Sequence, residues 1–189
     1  MNLMPFDELN VLEATVQSVM SAEPEQRKRM KDYLEDEILD LLIMSYVFGN
    51  EDGNEMLSSD VLIDADEMSD SVYKKIKGKD WKARFDDYFE NGGTAADIMR
   101  VVDTDSHRIY NEAVMDVGES ISKSGTTVMK TWYTMGDDKV RETHDYLEGM
   151  KIPMDERFYT FDGDSARYPG DFDMAENNCN CRCSILLTT

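Results

Sequence analysis

The sequence is short of positive charge. Forty acidic side chains stand against twenty basic ones, a formal charge of -20 at pH 7. A polyanion approaching the average surface is therefore repelled, and general nucleic-acid binding is disfavoured. Histidine is scarce as well, with only His107 and His144 present. No glycine-rich phosphate loop appears, so general-base and phosphate-transfer chemistry have little to build on. Long apolar runs are missing: the most apolar stretch, ILDLLIMSYVF, is about half a membrane span and contains Asp40. The opening MNLMPFDELN is acidic almost at once and carries no basic-then-apolar leader. A protein made in a cytoplasm, without membrane association, is expected. No repeat period and no low-complexity tract is visible.

What is present supports a folded protein. The hydrophobic fraction is 41% and falls in periodic groups, which argues against wholesale disorder. The plain reading of the acidity is solubility. The sharper readings are an acidic face for a basic protein partner, or mimicry of nucleic acid.

Residues 5 to 21 carry Leu9, Leu12, Val16 and Val19 at three- and four-residue steps, predicting a first helix. A second helix starts at Pro24, runs through Tyr33, Leu34, Ile38, Leu41, Leu42 and Ser45, and is expected to halt at Gly49. Its end is apolar nearly all round, hence buried in a core or against a partner. NEDGNEMLSSD reads as the loosest join of the chain, near residues 49 to 60. DEMSDSVYKKIKG and DWKARFDDYFENGG read as short helices, the latter ended by Asn91-Gly92-Gly93. Thr94 and Asp97 then have capping-box spacing at the head of a long helix reaching Gly125, with Ile98, Val101, Val102, Ile109, Val114, Val117 and Ile121 on its inner face.

After Gly125 the character changes. TTVMKTWYTM is β-branched and aromatic and reads as a strand with Val128, Lys130 and Trp132 on one side. GDDKVRETHDYLEG reads as a short helix introduced by aspartates and closed by Gly149, and RFYTF and CRCSILLTT as further strands. The fold class expected is α+β: a predominantly helical N-terminal two-thirds, then a small β-containing C-terminal module with a His/Cys cluster.

Three pieces of this second half occur in a recognisable order: VMKTWYTMGDDKVRETHDYLEGMKIPMDERF, ARYPGD and NCRC. The combination resembles the C-terminal domain of the phage Mu F-like head morphogenesis family, the minor head proteins of tailed phages and prophages. The matching positions are Lys130, Trp132, Asp138 (or Asp137), Arg141, His144, Gly149, Pro169, Gly170, Asp171, Asn180, Cys181, Arg182 and Cys183. Upstream, Thr104-Asp105, Arg108-Ile109 and Asn111 resemble the family too, with Asp105 where the family has Glu. Cys179 lies outside the usual two-cysteine pattern.

The resemblance implies a family domain over residues 71–189 behind an acidic helical extension, residues 1–70. It implies a non-catalytic minor head protein of the inner virion head, assembled in the host cytoplasm. Such a protein would act in capsid assembly, with a possible part in DNA packaging or delivery, through portal, scaffold or other capsid proteins. The helix at 24 to 48 is the expected docking element. The alternative is a phage-encoded effector, either a toxin-like enzyme or an acidic DNA mimic. Toxin fusions of this kind are longer, and no extra domain is expected after Thr189.

The cysteines can be weighed by distance. In an extended chain alternate residues share a face about 6.6 Å apart, so Cys181 and Cys183 can converge on one ion, whereas Cys179 joins only if Asn177-Asn178-Cys179-Asn180 turns back. His144, on a short helix, is the natural third ligand of a structural zinc site completed by Cys179, Asp145 or water. Small buried hydrophobes and a disulfide remain the alternatives. Arg141 and His144 stand three apart; an enzyme would use them as anion clamp and general base, whereas the plain account pairs Arg141 with a carboxylate such as Asp171. His107 reads as solvent-facing or half-buried, and Trp81, Trp132 and Tyr168 as core.

Overall fold

In the computed structural model of the protein, residues 6–60, 76 and 81–189 are described. The helices are α1 (Phe6–Met20), α2 (Pro24–Arg29), α3 (Lys31–Leu57), α4 (Trp81–Glu90), α5 (Ala95–Lys123), and the single turns α6 (Glu142–Asp145) and α7 (Ala175–Asn178). The strands are β1 (Met129–Tyr133), β2 (Lys151–Pro153), β3 (Phe158–Tyr159), β4 (Ser165–Ala166) and β5 (Ser184–Thr188). This is the α+β arrangement expected, helices first and small antiparallel sheets last. The helix expected in DEMSDSVYKKIKG falls outside the described residues apart from Ile76. Among the described residues no helix is long and apolar enough to cross a membrane.

The chain forms two compact units. The first holds α1, α2, α3 through Ser45, Ile76, α4, and α5 through Ser106. Its core takes Leu12, Val16 and Val19 from α1, Leu34, Ile38, Leu41 and Leu42 from α3, and Ile98, Val101 and Val102 from α5, all buried. At the apolar end of the 24–48 helix, Leu41, Leu42, Ser45 and Tyr46 are buried, whereas Ile43, Met44, Val47 and Phe48 are half-buried. Tyr33 is half exposed. Trp81 is fixed by donating from its indole nitrogen to the Ile76 carbonyl at 2.9 Å, with Phe85 and Phe89 continuing the aromatic row along α4. At the head of α5 the capping box forms: the Asp97 amide donates to Thr94 Oγ1 at 3.2 Å, and the Thr94 amide donates to Asp97 at 2.9 Å.

The second unit holds α3 from Tyr46, α5 from His107, and everything beyond. Here the expected stop at Gly49 and the expected loop at 49–60 are corrected: α3 continues to Leu57. A Cβ on Gly49 would lie 2.2 Å from the Tyr110 carbonyl oxygen, and one on Gly53 3.1 Å from Val117 Cβ. These glycines are therefore where α3 meets α5 at backbone distance, and a composition that looks like a loop serves a close helix crossing. Tyr46 donates to Asp116 at 2.6 Å and Tyr110 to Asp52 at 2.5 Å, tying the same two helices.

The main sheet has the order β2-β1-β5, antiparallel throughout, with Lys130 opposite Ile152 on one side and Leu187 on the other. Val128, Lys130 and Trp132 are buried as the alternation predicts. Three points differ from the sequence reading. RFYTF does not join this sheet but pairs as β3 with β4 in a separate ribbon, and neither β2 nor β4 was expected. The helix in GDDKVRETHDYLEG is one turn, with Arg141 at its N-cap in place of the aspartates. Asp137 instead faces the Lys139 amide and Arg182.

Candidate metal centre

Two chain reversals bring the centre together. After β1 the chain forms α6, the buried Leu147 that follows anchors it, and Gly149, at φ +71, sends it back so that its amide donates to the Trp132 carbonyl at 2.9 Å. Glycine is favoured there because a side chain rarely adopts that φ. His144 therefore lies over Trp132, ring centroids 5.6 Å apart and nearly edge-on, while Phe172 stacks on the imidazole at 5.3 Å. On the other side Asn180, at φ 54, turns the chain out of α7 into an extended Cys181-Arg182-Cys183 that leads into β5. Asn111 on α5 fixes this segment, donating to the Cys183 carbonyl at 3.1 Å and accepting from the Ile185 amide at 3.2 Å. Alternation then buries both cysteines and turns Arg182 outward, where it makes a two-pronged pair with Asp137 at 2.7 Å.

His144 Nδ1 lies 3.6 Å from Cys181 Sγ and 3.4 Å from Cys183 Sγ. A tetrahedral zinc with ordinary Zn–S and Zn–N bonds places a sulfur and a nitrogen ligand about 3.6 Å apart, so both thiols already stand at that distance from the imidazole nitrogen. The three side chains are buried, with ligand atoms within 4.8 Å of one another, and the cluster could hold a metal ion. Cys183 beside it, then His144, hold the Cys181 thiol well below its usual range, against the upward push of burial. The sulfur of Cys181, then burial, pushes Cys183 up. One thiolate is thus already favoured, and a second would need a cation. Among the described residues the buried Trp132 indole nitrogen meets no partner at full hydrogen-bond geometry, but it faces Cys183 and favours its thiolate, as a donor facing a metal-bound sulfur would. His144 Nε2 is also buried without a partner among the described residues.

The structure does not bring every proposed ligand in. Cys179 is half-buried and its thiol stands outside the group of three, although its carbonyl accepts a short hydrogen bond from Arg141. Asp145 is exposed on α6. Arg141 thus serves the Cys179 backbone, not Asp171, which pairs with Arg167 at 3.1 Å. His107 is half-buried on α5. Trp81, Trp132 and Tyr168 are core, as read.

One organising residue escaped sequence reasoning. Asp164 is buried, and its carboxylate accepts from the Ser165, Asp173 and Met174 amides at 2.8, 3.2 and 3.1 Å and from Asn177 at 2.9 Å. Burial raises its pKa, but these donors, Asn177 foremost, win and hold it below the usual carboxylate range. In a chain with forty acidic residues nothing in FDGDSARYPGDFD marks this aspartate out.

The model of a family described as Phage Mu protein F like protein matches residues 65–186. Among curated proteins, the Minor head protein GP7 of Bacillus phage SPP1 is 34% identical over 83 residues, 44% of this chain and 27% of that protein. The NAD(+)--arginine ADP-ribosyltransferase EFV of Enterococcus faecalis is 31% identical over 88 residues, 47% of this chain and 18% of that protein. The chain thus matches less than a third of the length of either relative. No solved structure matches.

Proposed function

Because the chain belongs to the Phage Mu protein F like family, we propose that it is a non-catalytic minor head protein of a tailed phage or prophage, carried in the inner head after assembly in the host cytoplasm. In this reading it contacts portal, scaffold or other capsid proteins and takes part in capsid assembly, with a role in packaging or delivering DNA. The observation that carries the reading is the family match over most of the folded chain, joined to the similarity to a phage minor head protein. Quantitative mass spectrometry of gradient-purified virions tests it. The chain is expected in mature particles at a fixed low ratio to the major capsid protein; its absence from them would overturn the head assignment.

Within this reading residues 71–189 are the family domain and residues 1–70 an acidic helical extension, of which Tyr46–Leu57 of α3 packs in the second compact unit.

The centre holds a structural zinc in this proposal, through His144 Nδ1, Cys181 Sγ and Cys183 Sγ, completed by Cys179, Asp145 or water. The spacing of the imidazole nitrogen from both sulfurs supports it. Bound metal would fasten the chain end to the module, a segment with little apolar surface of its own. Protein purified without chelator is expected to carry near one equivalent of zinc by elemental analysis, and Cys181→Ser to lose it. Less than about half an equivalent in the wild type would count against a closed structural site.

A second reading is favoured by the similarity to an arginine ADP-ribosyltransferase: an effector with that enzyme's activity. Against it, the similarity covers only 18% of that enzyme's length. Incubation with labelled NAD and an arginine-rich acceptor is expected to give no transfer; label on the acceptor would reverse the preference.

A further inference from the structure

The second unit holds large apolar side chains out in solvent. Tyr146 is 56% exposed, Phe161 60%, Tyr159 63% and Met174 43%, and the Tyr146 and Phe161 rings meet edge-on at 5.9 Å. Three short segments carry these residues, and one buried hub fastens them together. Thr143 of α6 donates to Asn177 of α7, Asn177 donates to Asp164, and Asp164 also accepts from the Met174 amide. Phe161 sits at the tip of the β3–β4 hairpin, which is closed by the Thr160 amide donating to the Asp164 carbonyl at 3.0 Å and turned at Gly163, φ +92. A chain that spends a buried carboxylate and four donors on holding a tip rigid, and puts phenylalanine on it, has a preorganised contact and not a frayed loop.

The charge around the aromatics says what fits. Segments 142–148, 159–164 and 173–176 contain no lysine or arginine, and Glu142, Asp145, Glu148, Asp162, Asp173 and Glu176 are all exposed there; the neighbouring cation, Arg157, bonds to Ser165 opposite Tyr159 and is paired with Asp171 at 3.7 Å. A second copy presenting the same face, a nucleic acid and an anionic membrane would each be repelled by it. We propose that this face is a docking surface for a basic segment of a protein partner that carries at least one large apolar side chain. The aromatics supply the desolvated centre and the carboxylates a rim that steers the approach and selects sign. The proposal goes beyond the head assignment and does not require it, because its test uses the purified chain alone.

The test is fluorescence anisotropy on the full chain with two labelled synthetic peptides of equal positive charge, one amphipathic with leucine and tryptophan between lysines, the other with serine in those places. The amphipathic peptide is expected to bind more tightly, and Phe161→Ser and Tyr146→Ser each to weaken it about tenfold or more. Both side chains are exposed, so thermal melts of the variants should match the wild type, and a double Asp145→Asn, Asp162→Asn variant should bind more slowly and with less dependence on salt. Equal binding of the two peptides, or no effect of the aromatic variants, would overturn the proposal. So would self-association of the wild-type chain that Phe161→Ser abolishes, which would assign the face to a second copy.

Discussion

At the scale of single residues, two buried polar side chains carry consequences that hydrophobic bookkeeping would miss. Asn111 bonds at once to the Cys183 carbonyl and the Ile185 amide, so its amide group aligns the cysteine segment and the first residues of β5 on α5. Asn111→Leu keeps the volume and leaves both backbone groups buried without partners; about 2–6 kcal/mol of stability should be lost in urea unfolding, at about 1–3 kcal/mol for each orphaned group. Lys130 is buried with its ammonium donating to the Met154 carbonyl at 2.9 Å and lying over the Phe158 ring. Burial, then Arg167, push its pKa down to about 8, with Arg157 adding and Glu119 and Asp171 opposing. The unfolded chain therefore holds this proton more tightly than the folded one. The penalty is complete below about pH 8 and is relieved as pH climbs from there towards 10.5, so stability from this group rises with pH over that window. Relative to Lys130→Met, the wild type should gain up to about 3 kcal/mol across it in urea unfolding at stepped pH. Tyrosines and thiols that titrate nearby are common to both proteins and cancel in the difference.

At the scale of elements, the glycines of α3 show where pattern reading stops. In an exposed helix interior, glycine to alanine stabilises by about 1 kcal/mol. At Gly49 the new methyl would sit 2.2 Å from the Tyr110 carbonyl oxygen, so the sign reverses. Gly49→Ala should cost about 2–4 kcal/mol, in the upper range for overpacking, while Gly53→Ala, with 3.1 Å to a movable valine, should cost less than half as much; differential thermal unfolding separates them. A gain in stability from Gly49→Ala would disprove the close crossing. The helices that were legible from sequence were those whose signal is local: the stripe of α1, the capping box of Thr94 and Asp97, the Asn91-Gly92-Gly93 stop. Illegible were features fixed by a distant partner. Gly49 looks like a terminator until Tyr110 lies against it, and β2 and β4 are too short to show alternation before β1 and β3 pair with them. Of the candidate site, His144, Cys181 and Cys183 were found because residue type and two-residue spacing announce them. The placing of Cys179 was not, because it depends on how Asn180 turns the chain.

For the whole molecule the governing quantity is charge. Twenty surplus carboxylates give -20 in 189 residues, and compaction brings them together. Specific ion pairs offset part of this. Lys31 with Asp86 and Glu90, Lys82 with Glu35, and Arg84 with the buried Asp105 stitch the first unit, and Arg157 and Arg167 share Asp171 in the second. Most of these pairs are partly exposed, where each contributes at most about 1 kcal/mol and weakens in salt. Twenty basic side chains cannot neutralise forty acidic ones, so general repulsion outlasts the local pairs. Added salt screens both, and the repulsion, summed over many pairs at long range, loses more. Raising sodium chloride from about 20 mM to about 500 mM, which shortens the screening length from about 20 Å to about 4 Å, should therefore raise the melting temperature by several degrees. Potassium chloride should do the same, which distinguishes screening from binding of a particular cation. A fall in melting temperature would mean that the ion pairs outweigh the net charge, and would remove the argument that this protein's acidity costs stability and is kept for what it meets outside itself.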